Sequence, residues 1–181
     1  GPRLTLHNRI PNACPMNFAD QITRTPHTID ADSGDEALTA LSIPTAAHAL
    51  IRGAAGSSPY LRTLILRWPD WLNAAMTQPP GAVLRALLKD VAAIPDADLG
   101  PGLRHAKGKV ALWVALADLG GVWPLERVTG ALTDFADAAV GRSLTSLVAA
   151  EVKRGKLPGQ GPNDVADAAG MVVLAMGKAG A

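Results

Sequence analysis

The residues most able to do chemistry stand at the end of the chain. "GMVVLAMG" is a short apolar run with Val172 and Val173, bounded by Gly170 and Gly177, and it empties into "GKAG". The run reads as a buried strand. A strand end carrying small residues, free backbone amides and a lysine is the geometry that cradles phosphates. The same residues also suit a plain glycine turn with a solvated lysine. It is not the common phosphate-loop motif. That needs a glycine where Val172 stands and a Ser or Thr where Ala179 stands.

Other reactive types are scattered. Arg104, His105, Lys107 and Lys109 make a basic helix start, a solvated face with phosphate contact as the rival reading. His27 and His48 have no metal-ligand partner at helical spacing. Asp164 suits a helical cap, and with Asp167 it precedes the expected strand. The single cysteine, Cys14, has no evident base and excludes both an intrachain disulfide framework and a clustered-thiolate zinc site. Trp68, Trp71, Trp113 and Trp123 are packing anchors.

The elements that must position the turn are helical. Ala is abundant and aromatics make up only 4% of 181 residues, which favours packed helices over a β-sandwich. Residues 1–33 form an irregular, Pro-punctuated arm. A helical domain spans 34–156. Its first helix takes Asp32 or Ser33 as cap and stops before Pro44. "PTAAHALIRGAAG" gives a short helix. In "SPYLRTLILRWPDWLNAAM", Ser57 or Ser58 is the cap, Pro59 suits a first helical position, and Pro69 breaks the element after Trp68. "PPGAVLRALLKDVAAI" is a further helix.

"LRHAKGKVALWVALADLGG" is apolar nearly all round from Val110 to Leu116, the mark of a buried helix, and Gly120–Gly121 stops it. From Pro124, Leu125, Val128, Leu132, Phe135 and Ala139 step by three and four, and Leu144, Leu147, Val148 and Val152 continue the stripe. The pattern predicts a rod of about 31 residues and roughly 45 Å, a spine whose Leu132 and Phe135 face neighbouring helices. Residues 157–169 are a loop, and 170–181 begin a second, α/β domain. A lone strand needs partners, so the chain is expected to be truncated. Gly1 is no initiator, and Met16 is the first methionine.

Charge and hydropathy exclude some partners. Seventeen basic and sixteen acidic residues leave a formal net charge of +1, with no footprint for nucleic acid. No run approaches the roughly 18 apolar residues a membrane span needs. With its single cysteine, the chain fits a cytoplasmic setting.

Three segments together carry a resemblance. "SPYLRTLILRWPDWL", then "LRHAKGKVALWVALADLGGVWPLERVTGALTDFADAAVGRSL", then "VVLAMGKAGA" resemble the bifunctional glutamine synthetase adenylyltransferase/adenylyl-removing enzymes in order and spacing, over roughly residues 20–181. The resemblance implies the N-terminal part of a nucleotidyltransferase. Its fold would be a mainly α domain leading into the first strand of a truncated polymerase-β-like α/β domain. It implies removal of AMP from glutamine synthetase by phosphorolysis, and, in the whole protein, adenylylation with ATP. Gly177, Lys178 and Gly180 match the start of the phosphate-facing turn, and Ala181 departs from the family's commoner glycine. That turn runs on in the family into Glu-Leu-Asn and then Ser-Asp-x-Asp, whose carboxylates bind Mg2+. The chain stops before them and is therefore expected to be inactive alone. Implied partners are glutamine synthetase, the PII signal protein, ATP or ADP, and phosphate. The rival expectation is a helical module that docks glutamine synthetase or PII without catalysis.

Overall fold

A computed structural model describes residues 16–174. Among them are seven α-helices and no strand: α1 Ala31–Thr39, α2 His48–Ser57, α3 Pro59–Arg67, α4 Pro69–Met76, α5 Pro80–Ala92, α6 Leu99–Leu119 and α7 Leu125–Lys153. The mainly helical class expected from composition is therefore observed.

Local chemistry sets most of the boundaries. Ser58 caps α3, its hydroxyl accepting from the Leu61 amide at 3.3 Å, and Pro59 opens the helix. Trp68 leaves helical geometry (φ −134°, ψ 55°) before Pro69 starts α4, because the residue ahead of a proline is pushed out of the α region. The cap of α1 is Asp30, two or three residues before the expected Asp32 or Ser33. Its carboxylate accepts from the Ser33 amide at 3.1 Å and the Ser33 hydroxyl at 2.6 Å. Helix α6 also begins early, at Leu99, since Pro101 lies in a first turn where no amide partner is needed. Gly121, at φ +63°, turns the chain out of α6.

The core gathers around α6. Val110, Leu112, Trp113, Val114, Leu116 and Ala117 are all buried, as an all-round apolar helix requires. Trp113 stacks on Phe18 with ring centroids 4.4 Å apart and meets Trp71 edge-on at 6.0 Å. Its indole N–H donates to the Pro80 carbonyl at 3.0 Å, which satisfies its one polar group. Leu50, Ile51, Ile65, Leu72, Met76, Leu84 and Val91 are also fully buried. Residues 16–30 are irregular, but they are stitched to the body. The amides of Phe18, Thr23 and Asp30 donate to the carbonyls of Gln78, Gly120 and Gly56 at 2.8, 2.9 and 2.8 Å.

Helix α7 corrects the spine reading in one respect. Its docked face runs through Val128, Ala131 and half-buried Phe135 to Ala138 and Arg142. Leu132 is 47% exposed, and Leu125 and Leu147 are exposed too. Steps of three and four fit two faces of this helix, and the neighbours, α5 and α6, select the one carrying Ala131. Leu132 is rotated from it by about one residue step, roughly 100°.

After α7, Met171–Leu174 are exposed and have no regular secondary structure. The strand expected in "GMVVLAMG" does not appear there, because a strand forms only on a partner and no described residue offers one. Its remaining residues, 175–177, lie outside the described ones.

Candidate functional site

Gly177, Lys178 and Gly180, like Cys14, lie outside the described residues. The segment leading toward the turn can be followed to Leu174. Gly155, at φ +68°, ends α7. Gly161 then opens a single turn, Pro162–Asp164, and the carboxylate of Asp164 at its end accepts from the Gly161 amide at 2.6 Å. Asp164 thus sits inside the turn and not at the opening cap expected of it. Ala168, Ala169 and Gly170 follow with φ of 51°, 52° and 77°, and this left-handed run turns the chain back. Val173, itself 58% exposed, forms one wall of a shallow groove with Ala139, Val140, Ser143, Leu144 and Leu147 of α7.

Arg142 holds the other flank of α7. Its guanidinium donates twice to the Ile94 carbonyl, at 2.7 and 3.1 Å, and pairs with Asp96 at 2.5 Å. The Arg142 hydrogen bond, then one from Ser146, holds the Asp96 carboxyl below its ordinary value. A cleft beside this clamp is lined by Ala92, Ala138, Thr145, Ala149 and Val165. No sequence signal marks Arg142, because its partners lie 46 and 48 residues away.

The basic start of α6 acquires a tertiary setting. His105 meets the Trp68 ring edge-on at 5.1 Å. Arg67 and Lys109 place their charges 5.7 and 6.0 Å from the centroid of the same ring. Partial burial, then the charges of Lys109 and Arg67, push the His105 imidazole below its ordinary value. Arg104 and Lys107 are exposed nearby on α6. Arg67 joins this group although it is far away in sequence.

Among the described residues no group of three or more His, Cys, Asp or Glu could hold a metal ion. His48 instead sits 3.2 Å from the Ile43 carbonyl. No described helix is long and apolar enough to cross a membrane.

Residues 48–181 match the family model described as glutamate-ammonia ligase adenylyltransferase. Three relatives are each named bifunctional glutamine synthetase adenylyltransferase/adenylyl-removing enzyme. That of Bradyrhizobium diazoefficiens is 40% identical over 149 residues, covering 80% of this chain and 15% of the relative. That of Xanthobacter autotrophicus is 39% identical over 145 residues, covering 78% and 15%. That of Caulobacter vibrioides is 43% identical over 129 residues, covering 69% and 13%. The chain thus spans about 15% of the length of such relatives. No solved structure matches it.

Proposed function

This chain belongs to the glutamate-ammonia ligase adenylyltransferase family, and from that premise we propose that it forms the N-terminal part of an enzyme that removes AMP from glutamine synthetase. The reaction is a phosphorolysis: inorganic phosphate attacks the AMP phosphorus, the bond to the protein's tyrosine oxygen breaks, and ADP leaves. In a protein of the relatives' length, a second and similar half would attach AMP from ATP.

The observation that supports a role in this family's chemistry is the span of the match, residues 48–181, which includes Gly177, Lys178 and Gly180; the direction of the reaction is the proposal itself. In the proposal the helices are a scaffold. Arg142 and the Val128–Ala131 face fix α7 to the body, and α7 in turn carries Met171–Leu174 toward the turn. Gly177 and Gly180 let a phosphate approach the backbone closely, and Lys178 neutralises its charge.

Nucleotidyl transfer of this kind uses magnesium to neutralise phosphate charge. Gly177–Ala181 offer no carboxylate, and Lys178 repels a cation, so this stretch does not hold the ion. The proposed setting is cytoplasmic, with glutamine synthetase as substrate and the PII signal protein as regulator.

Incubation with adenylylated glutamine synthetase, phosphate and magnesium, followed by an ADP measurement, tests the reading. The 181-residue chain should release no ADP above a protein-free control, and a protein of the relatives' length carrying this sequence should release it. ADP release by the 181-residue chain would place a complete site within these residues. Failure of the longer protein would leave only a docking role.

A further inference from the structure

Among the described residues, cations gather at one place without an ion-paired carboxylate. Arg67 and Lys109 flank the Trp68 indole, and Lys109 also lies 5.4 Å from the Trp71 centroid. His105 packs against the edge of Trp68. The close approach is built in: a Cβ at Gly108 would fall 2.4 Å from the Trp68 Cη2, so only glycine lets the indole lie across α6.

None of Arg67, Arg104, Lys107 and Lys109 forms an ion pair with a described residue. Arg24, Arg52, Arg62, Arg127, Arg142, Arg154 and Lys156 do form such pairs; Arg85, Lys89 and Lys153 also stand without one, but none of these is set beside an indole. Asp70, the acid nearest in sequence, is exposed on α4 and pairs with none of the cations around it. The ring quadrupole offsets part of the mutual repulsion.

We propose that Arg67, Trp68, Trp71, His105 and Lys109, with Arg104 beside them on α6, form a docking surface for a carboxylate-rich face of a partner protein. The charges on α6 run from residue 104 to 109, about 7.5 Å of helix at roughly 1.5 Å per residue. Arg67, on a different helix, brings its charge to the same Trp68 ring as Lys109. Cations carried by two helices beside two indoles offer more than one contact point for the carboxylates of a protein face. Half-buried indoles beside arginine are the side chains that anchor protein interfaces. The chain's net charge of +1 gives no general attraction to nucleic acid. This inference is independent of the direction of the reaction proposed above.

The test uses the 181-residue chain and a fluorescently labelled decaglutamate peptide at low ionic strength. The Arg67→Gln/Lys109→Gln double variant should bind the peptide about 10-fold more weakly. Lys153→Gln/Lys156→Gln, which removes the same charge from the end of α7, should leave binding within twofold. Thermal melts of both variants establish that each is folded. In NMR titrations, bound peptide should raise the pKa of His105, which Lys109 and Arg67 face with positive charge. Equal losses in the two double variants, no binding, an unmoved His105, or tighter binding of inorganic phosphate or of a short DNA duplex would each overturn the proposal.

Discussion

The Trp68 indole lies directly over Gly108 of α6, with its Cη2 2.4 Å from where a Cβ at that glycine would stand. Gly108→Ala brings two opposed effects. Alanine favours a helix interior by about 1 kcal/mol over glycine. Forcing a methyl group into a packed contact costs about 1–3 kcal/mol. The ring is hemmed in by His105 and Arg67, so it cannot step aside cheaply, and the clash should win. Chemical denaturation of Gly108→Ala should show a net loss of about 1–2 kcal/mol, together with a shifted tryptophan emission.

Neighbouring positions on α7 should respond in opposite ways. Ala131 is fully buried, whereas Leu132 is 47% exposed. Ala131→Asp buries a charge without a partner and should cost on the order of 3 kcal/mol or more. Leu132→Asp should stay within about 1 kcal/mol. Phe135→Asp, at a half-buried position packed on the core, should fall between them. Equal melting temperatures for the Ala131 and Leu132 variants would contradict the docked face described here.

Arg142 ties α7 to the loop after α5, and the tie should be visible in the acid limb of stability. The Asp96 carboxyl is held below its ordinary value, chiefly by Arg142. A carboxyl depressed in the folded state adds stability above its unfolded value near 3.8, and that stability is lost as pH falls through the folded value. Arg142→Ala should therefore flatten the loss of stability below about pH 4. At neutral pH it should also cost about 1–3 kcal/mol from the orphaned Ile94 carbonyl and lost packing. Denaturant melts of the two proteins between pH 2 and pH 7, on the order of one melt per pH unit, make the comparison.

Much of the scaffold was legible because local chemistry decides it. Pro69 must break a helix, Ser58 must cap one, and a run apolar on every side, as from Val110 to Leu116, must be buried. The face of α7 was not legible, since its apolar residues fit more than one stripe and only α5 and α6 choose between them. Phe18 was missed for the opposite reason: it sits in an irregular segment with no period, yet it is fully buried against Trp113. The basic group at 104–109 was visible, but Arg67 was not, because tertiary packing alone brings α3 beside α6. Sequence also marks the turn at 177–180, which lies outside the described residues.

Lys178 and Gly180 are the residues on which the proposed phosphorolysis most directly depends. In a protein of the relatives' length carrying this sequence, Lys178→Ala and Gly180→Val should be compared with wild type by ADP release from adenylylated glutamine synthetase at low phosphate. Loss of one charge-assisted phosphate contact, worth roughly 1.5–3 kcal/mol, predicts a fall of about 10- to 150-fold for Lys178→Ala. Gly180→Val should fall further, because a branched side chain blocks the backbone's approach to the nucleotide. Attachment of AMP from ATP should be unchanged in both. Unaltered ADP release in both variants, or a loss confined to AMP attachment, would contradict the assignment of this chain to the deadenylylating half.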